Sequence, residues 1–116
     1  MLEKKNRLLK RKEFSYVFHR GKRFSTKLVV LNYTPTKLPQ FRVGFSVSKK
    51  IGKAVIRNKV KRRMREIVRS LKNQINDQYN YVFVARAGIE VASYDEIKQS
   101  IVYCLEKCGL TKKEPN

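Results

Sequence analysis

Between Lys49 and Arg69 the sequence gathers Lys49, Lys50, Lys53, Arg57, Asn58, Lys59, Lys61, Arg62, Arg65 and Arg69, with Glu66 as the only acid. Residues of these types do not break bonds. They neutralise phosphates, and binding built on them weakens steeply with salt as counterions return to the nucleic acid. The bland alternative is a solvated helix face in which exposed ion pairs cancel the charge. One acid among so many cations argues against it, because cations held in one orientation repel one another unless an anion lies against them. Glu66 itself lies one helical turn after Arg62, where an intrahelical ion pair is its most economical role.

The spacing says how these groups are presented. Ile56, Val60, Met64, Ile67, Val68 and Leu71 recur at helical intervals and make one apolar stripe. Asn58, Lys61, Arg62, Arg65 and Arg69 fall on the opposite side, with Arg57 at the border. A helix from about Ala54 to Lys72 therefore buries one face and offers the other to a polyanion, and RNA is the partner to which the pattern points. Just before it, Lys49-Lys50-Ile51-Gly52-Lys53 is either a flexible basic loop or a phosphate seat, where free amides and the helix dipole act together with three lysines.

Phe14 and Phe18 are a second candidate pair. Aromatic residues four apart on a helix usually belong to a core, but at a cleft edge they can stack on single-stranded bases. Self-contained catalysis has little support. His19 is the single histidine, and the acids are scattered with no pair placed to hold magnesium or share acid and base duties. Cys104 and Cys108, four apart, fit burial as small apolar groups better than a metal site, which needs about four ligands.

Composition agrees with a binder. The 116 residues carry 28 Lys+Arg against 9 Asp+Glu, a formal charge of +19. With 41% hydrophobic residues the chain can still bury a core, so it is not a basic disordered tail. Its length suits one domain. No run reaches the roughly 18 apolar residues of a membrane span, and Met1-Leu2-Glu3-Lys4-Lys5 places charges where a signal peptide has its apolar centre. A cytoplasmic protein without membrane contact is expected.

The elements that must position these groups follow in order. Residues 1–11 are basic and expected to be loosely held. A short helix is predicted from about Lys12 to Arg20, closed by Gly21. A strand follows from Lys27 to Tyr33, then a loop from Thr34 to Gln40 containing two prolines. Phe41 to Ser48 alternates as a strand, with Phe41, Val43, Phe45 and Val47 on one face. An antiparallel hairpin is the simplest pairing of these two strands. After the basic helix, the apolar run from Tyr79 to Arg86 reads as a central strand. Ser93-Tyr94-Asp95-Glu96 has capping-box spacing and opens a last helix, with Ile97, Ile101, Cys104, Leu105 and Cys108 inward. Gly109 closes it, and residues from about 110 form a polar tail. The result is one α/β (α+β) domain over 1–116, a sandwich of a small mixed sheet and helices in the order α-β-β-α-β-α.

The run Arg42-Val43-Gly44-Phe45-Ser46-Val47-Ser48-Lys49-Lys50-Ile51-Gly52-Lys53-Ala54-Val55-Ile56-Arg57-Asn58-Lys59-Val60-Lys61-Arg62, continuing through Arg65-Glu66, resembles the protein subunit of bacterial ribonuclease P. The likeness extends to Arg7-Leu8 and Phe14…Phe18…Gly21 upstream, and to Val82-Phe83-Val84-Ala85-Arg86 downstream. It implies an accessory subunit of a ribonucleoprotein endoribonuclease that removes the 5′ leader of precursor tRNA. Catalysis would then rest on Mg2+ held chiefly by the RNA subunit. The partners would be ribonuclease P RNA and precursor tRNA, with no obligate protein partner. By the same resemblance Lys49, Lys50, Lys53, Arg57, Asn58, Lys59, Lys61, Arg62, Arg65 and Arg69 face the catalytic RNA, and Phe14 and Phe18 line the cleft that takes the leader. Lys59 stands where the family often has arginine, keeping charge without the planar fork. Asn32 stands where a further cleft aromatic is expected, and its neighbour Tyr33 points to the other face. The family also implies a left-handed βαβ crossover, of the ribosomal protein S5 domain 2-like kind, although such connections are right-handed in about 98% of cases. Two other readings remain: a structural RNA-binding protein of similar shape, and a nuclease acting alone.

Overall fold

The computed structural model describes residues 2–112. Helix α1 spans Arg11–Arg20, strands β1, β2 and β3 span Lys22–Ser25, Val29–Pro35 and Arg42–Ser46, helix α2 spans Ala54–Ser70, strand β4 spans Tyr79–Ala85 and helix α3 spans Tyr94–Lys107. The predicted order α-β-β-α-β-α is present, with the short β1 added ahead of the first predicted strand. Lys22-Arg23-Phe24-Ser25 has no apolar alternation to betray it, since only Phe24 is partly buried. It forms because Arg23 and Phe24 pair opposite Asn32 and Leu31 across an antiparallel turn.

The strand order is β1-β2-β4-β3. β4 runs antiparallel to β2 and parallel to β3, so the sheet is mixed. The expected hairpin between the Leu28–Tyr33 region and the Phe41–Ser48 strand does not form, because β4 lies between them. Hydrophobicity explains the choice: β4 is nearly all apolar and gains most from the centre, where both of its faces are covered. β2 also runs two residues beyond its predicted end, as Pro35 makes the last register pair with Tyr79.

Side-chain alternation divides the sheet into two faces. On the inner face Val29, Leu31, Val43, Tyr81, Phe83 and Ala85 pack with Val60, Met64, Ile67 and Val68 of α2 and Ile97, Ile101, Cys104 and Leu105 of α3. Leu71 completes the predicted stripe of α2, but Ile56 does not belong to it: it lies at the first turn and is exposed. On the outer face Val17 of α1 is fully buried. Gly21 ends α1 with its N–H on the Val17 carbonyl at 2.9 Å. Its φ of −76° is ordinary. Glycine is required there by proximity, because a Cβ would sit 2.5 Å from the Val17 oxygen.

The capping box of Ser93 and Glu96 is present. At the other end of α3, Gly109 adopts φ +68°, with Gly109 N–H on the Glu106 carbonyl and Leu110 N–H on the Leu105 carbonyl. Both expected loose ends are instead packed where described. Leu2 and Asn6 are buried, the Asn6 amide donates to the Phe41 carbonyl at 2.8 Å, and Leu8 N–H donates to the Val43 carbonyl at 3.1 Å. This segment covers the open edge of β3, a solution to the exposed-edge problem. Leu110 is buried, and Thr111 bridges Ile75. The rest of the expected tail lies outside the described residues.

Candidate nucleic-acid interface

Helix α2 owes its attitude to Val60, Met64, Ile67 and Val68, which anchor it to the inner face and turn the other side outward. Asn58, Lys59, Arg62, Arg65 and Arg69 are exposed, while Arg57 and Lys61 are half-buried at the borders. The ion pairs among the described residues are Lys5–Glu3, Arg42–Glu13, Lys72–Glu3 and Lys112–Asp77. None involves α2, so its basic face is uncompensated. Glu66 makes no ion pair with Arg62, contrary to expectation, and stays in solvent.

Lys49–Ile51 forms a single 3-10 turn that buries Ile51 and leaves Lys49 and Lys50 exposed. A Cβ at Gly52 would meet the Ile56 side chain at 3.1 Å. Lys53 is the N-cap of α2, makes no side-chain cap, and is followed by a first turn without acids. The first amides of α2 thus end uncapped among exposed lysines, an arrangement suited to phosphate.

Phe14 and Phe18 project from α1 onto the outer face, both half-buried. Phe14 sits over Gly44 of β3. Phe18 lines a cavity of about 340 Å³ with Arg23, Ser25, Val30, Asn32, Val84 and Arg86. His19 is exposed and edge-on to Phe18, with ring centroids 5.2 Å apart. Asn32 is fully buried in the floor. Tyr33 points to the inner face, 5.8 Å from the Tyr79 ring, where burial and then the Cys108 thiol push its phenol pKa up. The aromatic missing at Asn32 is therefore not supplied by its neighbour.

The basic helix and the aromatic pair do not share a wall: α2 lies on the inner face and α1 on the outer one. Strand β3 links them, carrying Gly44 under Phe14 and leading through the lysine turn into α2. Arg23 and Arg86 were missed by sequence reasoning, since Arg23 lies on a four-residue strand without an apolar pattern and Arg86 follows the last residue of β4.

Among the described residues no three His, Cys, Asp or Glu side chains are grouped to hold a metal. Cys104 is fully buried, and burial pushes its thiol up to about 11; Cys108 is half-buried, and burial pushes its thiol up as well. Among the described residues no helix is long and apolar enough to cross a membrane. The arrangement can bind a polyanion and stack a base.

Comparison with known proteins agrees with this geometry. A family model described as Ribonuclease P matches residues 2–109. The Ribonuclease P protein component of Syntrophomonas wolfei is 39% identical over 116 residues, covering 100% of this chain and 98% of the relative. The solved RNase P protein of Staphylococcus aureus superposes with a TM-score of 0.84 at 29% identity, covering 92% of this chain and 98% of that one. The RNase P protein of Thermotoga maritima gives a TM-score of 0.80 at 28% identity, covering 87% and 96%. An uncompensated basic helix, a half-buried aromatic pair and end-to-end similarity converge on one conclusion: the chain belongs to the ribonuclease P protein family.

Proposed function

We propose that this chain binds the RNA subunit of ribonuclease P through α2 and the lysine turn, and holds the single-stranded 5′ leader of precursor tRNA against Phe14 and Phe18. The uncompensated face of Lys49, Lys50, Lys53, Arg57, Asn58, Lys59, Lys61, Arg62, Arg65 and Arg69 is the observation that carries this reading. Each phosphate neutralised there contributes about −0.7 to −0.9 to the logarithmic salt slope. Stacking on the phenylalanines adds affinity without demanding a particular base. The residues that hold Mg2+ belong to the RNA on this reading, and the protein contributes positioning of the leader and screening of phosphate repulsion, in the cytoplasm and without an obligate protein partner.

The test is cleavage of precursor tRNA by a bacterial ribonuclease P RNA at low magnesium, with and without the protein. Stimulated cutting at the mature 5′ end, with none from protein alone, is expected. Tight salt-sensitive RNA binding without stimulation would instead indicate a structural RNA-binding protein.

A further inference from the structure

Phe18, Arg23 and Asn32 form one unit on the outer face. Arg23 and Asn32 are register partners on β1 and β2. Arg23 Nε donates to Asn32 Oδ1 at 3.1 Å, and the guanidinium carbon stands 5.5 Å from the centroid of the Phe18 ring. Arginine has no acceptor, so the amide oxygen must be the atom turned toward it. Asn32 Nδ2 is left as a buried donor with no partner among the described residues. Arg86 lines the same cavity and is anchored by Nη1 donating to the Thr26 carbonyl at 2.6 Å. Two guanidinium groups thus border Phe18, each tethered by a hydrogen bond. Against these donors the side-chain acceptors in the wall are few: the Ser25 hydroxyl, and Asn32 Oδ1, one of whose two lone pairs is taken by Arg23.

Such a wall fits oxygen. At corresponding positions of the base edge, uracil and guanine carry a carbonyl, whereas cytosine and adenine carry an amino group. An amino group facing tethered donors leaves donors on both sides without partners. We propose that Arg23, oriented by Asn32, is a specificity-determining residue that favours a keto base, uracil or guanine, stacked beside Phe18. The inference rests on the leader-binding reading of Phe18. A phosphate oxygen has the same acceptor chemistry, but the Phe18 ring alongside favours a base.

The test uses the reconstituted holoenzyme and measures dissociation constants for precursor tRNA with an all-uridine leader, the same tRNA with an all-cytidine leader, and mature tRNA. Both precursors should bind more tightly than mature tRNA. The uridine leader should lead the cytidine leader by roughly three- to tenfold, the usual net effect of one hydrogen bond. Arg23→Gln and Asn32→Ala should each bring that ratio close to one. Arg23 is exposed on an edge strand, so Arg23→Gln carries the test alone if Asn32→Ala does not fold. A leader effect with equal uridine and cytidine affinities overturns the proposal and leaves leader binding standing. Equal weakening of both precursors by Arg23→Gln, with the salt slope reduced by about one, makes Arg23 a phosphate contact and also overturns it. Precursors that bind no better than mature tRNA overturn the leader reading itself and the proposal with it.

Discussion

The Phe14 ring occupies the space that a side chain at Gly44 would fill. A Cβ there would stand 2.8 Å from Phe14 Cδ2 and 2.9 Å from Cε2. Gly44 lies on a strand face covered by α1, so the added methyl group must push the ring outward. Gly44→Ala is expected to destabilise the fold by about 1–3 kcal/mol, the usual range for overpacking. Urea unfolding measures it, and a change under about 0.5 kcal/mol would mean that α1 rides freely over β3.

Arg62 and Arg65 are exposed, unpaired cations on the free side of α2. Replacing either by alanine should weaken association with ribonuclease P RNA and reduce the magnitude of the logarithmic salt slope by up to about one. Filter binding across a salt series reads both quantities. A weakened affinity with an unaltered slope would exclude a phosphate contact at that residue.

Phe18 borders the cavity, whereas Phe14 is packed on the sheet backbone. Phe18→Ala should therefore weaken leader-bearing precursor by about 1–3 kcal/mol while leaving mature tRNA much less affected. Equal losses on the two RNAs would return Phe18 to general RNA binding or to packing.

Asp77 ties three segments together: it accepts from Phe41 N–H at 3.1 Å and pairs with Lys112 at 2.7 Å. Burial works against its charge, but the hydrogen bond from Lys112 and that from Phe41 outweigh it and hold the carboxyl below its usual value. A depressed folded-state pKa stabilises the fold above the unfolded pKa, and that contribution disappears as pH falls through the folded value. Asp77→Asn should lower the urea midpoint at pH 7 and flatten its decline over the acid range below about pH 4. Parallel pH profiles for the two proteins would remove Asp77 from the acid response.

Local pattern carried most of the fold. The helix from Ala54, the capping box at Ser93 and the central strand from Tyr79 were legible because each is written locally: as a helical period, as a fixed spacing and as an unbroken apolar run. What escaped was pairing. Nothing in Leu28–Tyr33 or Phe41–Ser48 says that a strand more than thirty residues later will enter between them, since pairing is a competition among all strands for burial. The packing of Asn6 on Phe41 escaped for the same reason: a polar residue in a basic segment gives no hint that a buried carbonyl awaits it. At the candidate site, the basic face was legible from helical spacing, and Asn32 from the family resemblance. Arg23 was not, because its partners lie on a neighbouring strand and a helix rather than along its own chain.

The position of β4 between β2 and β3 also governs when the protein can fold on the ribosome. Until Tyr79–Ala85 has been synthesised, only β1 and β2 have a partner to pair with, and both flanks of the sheet wait for a strand made late in translation. The whole of the cationic helix precedes β4 in the chain and is therefore made before the core that orients it is complete. The nascent chain therefore passes through a stage in which its charge is exposed and its architecture is not, beside a large body of ribosomal RNA. Prompt completion of β4 is what separates a folded tRNA-processing subunit from a basic peptide adhering to the machine that made it.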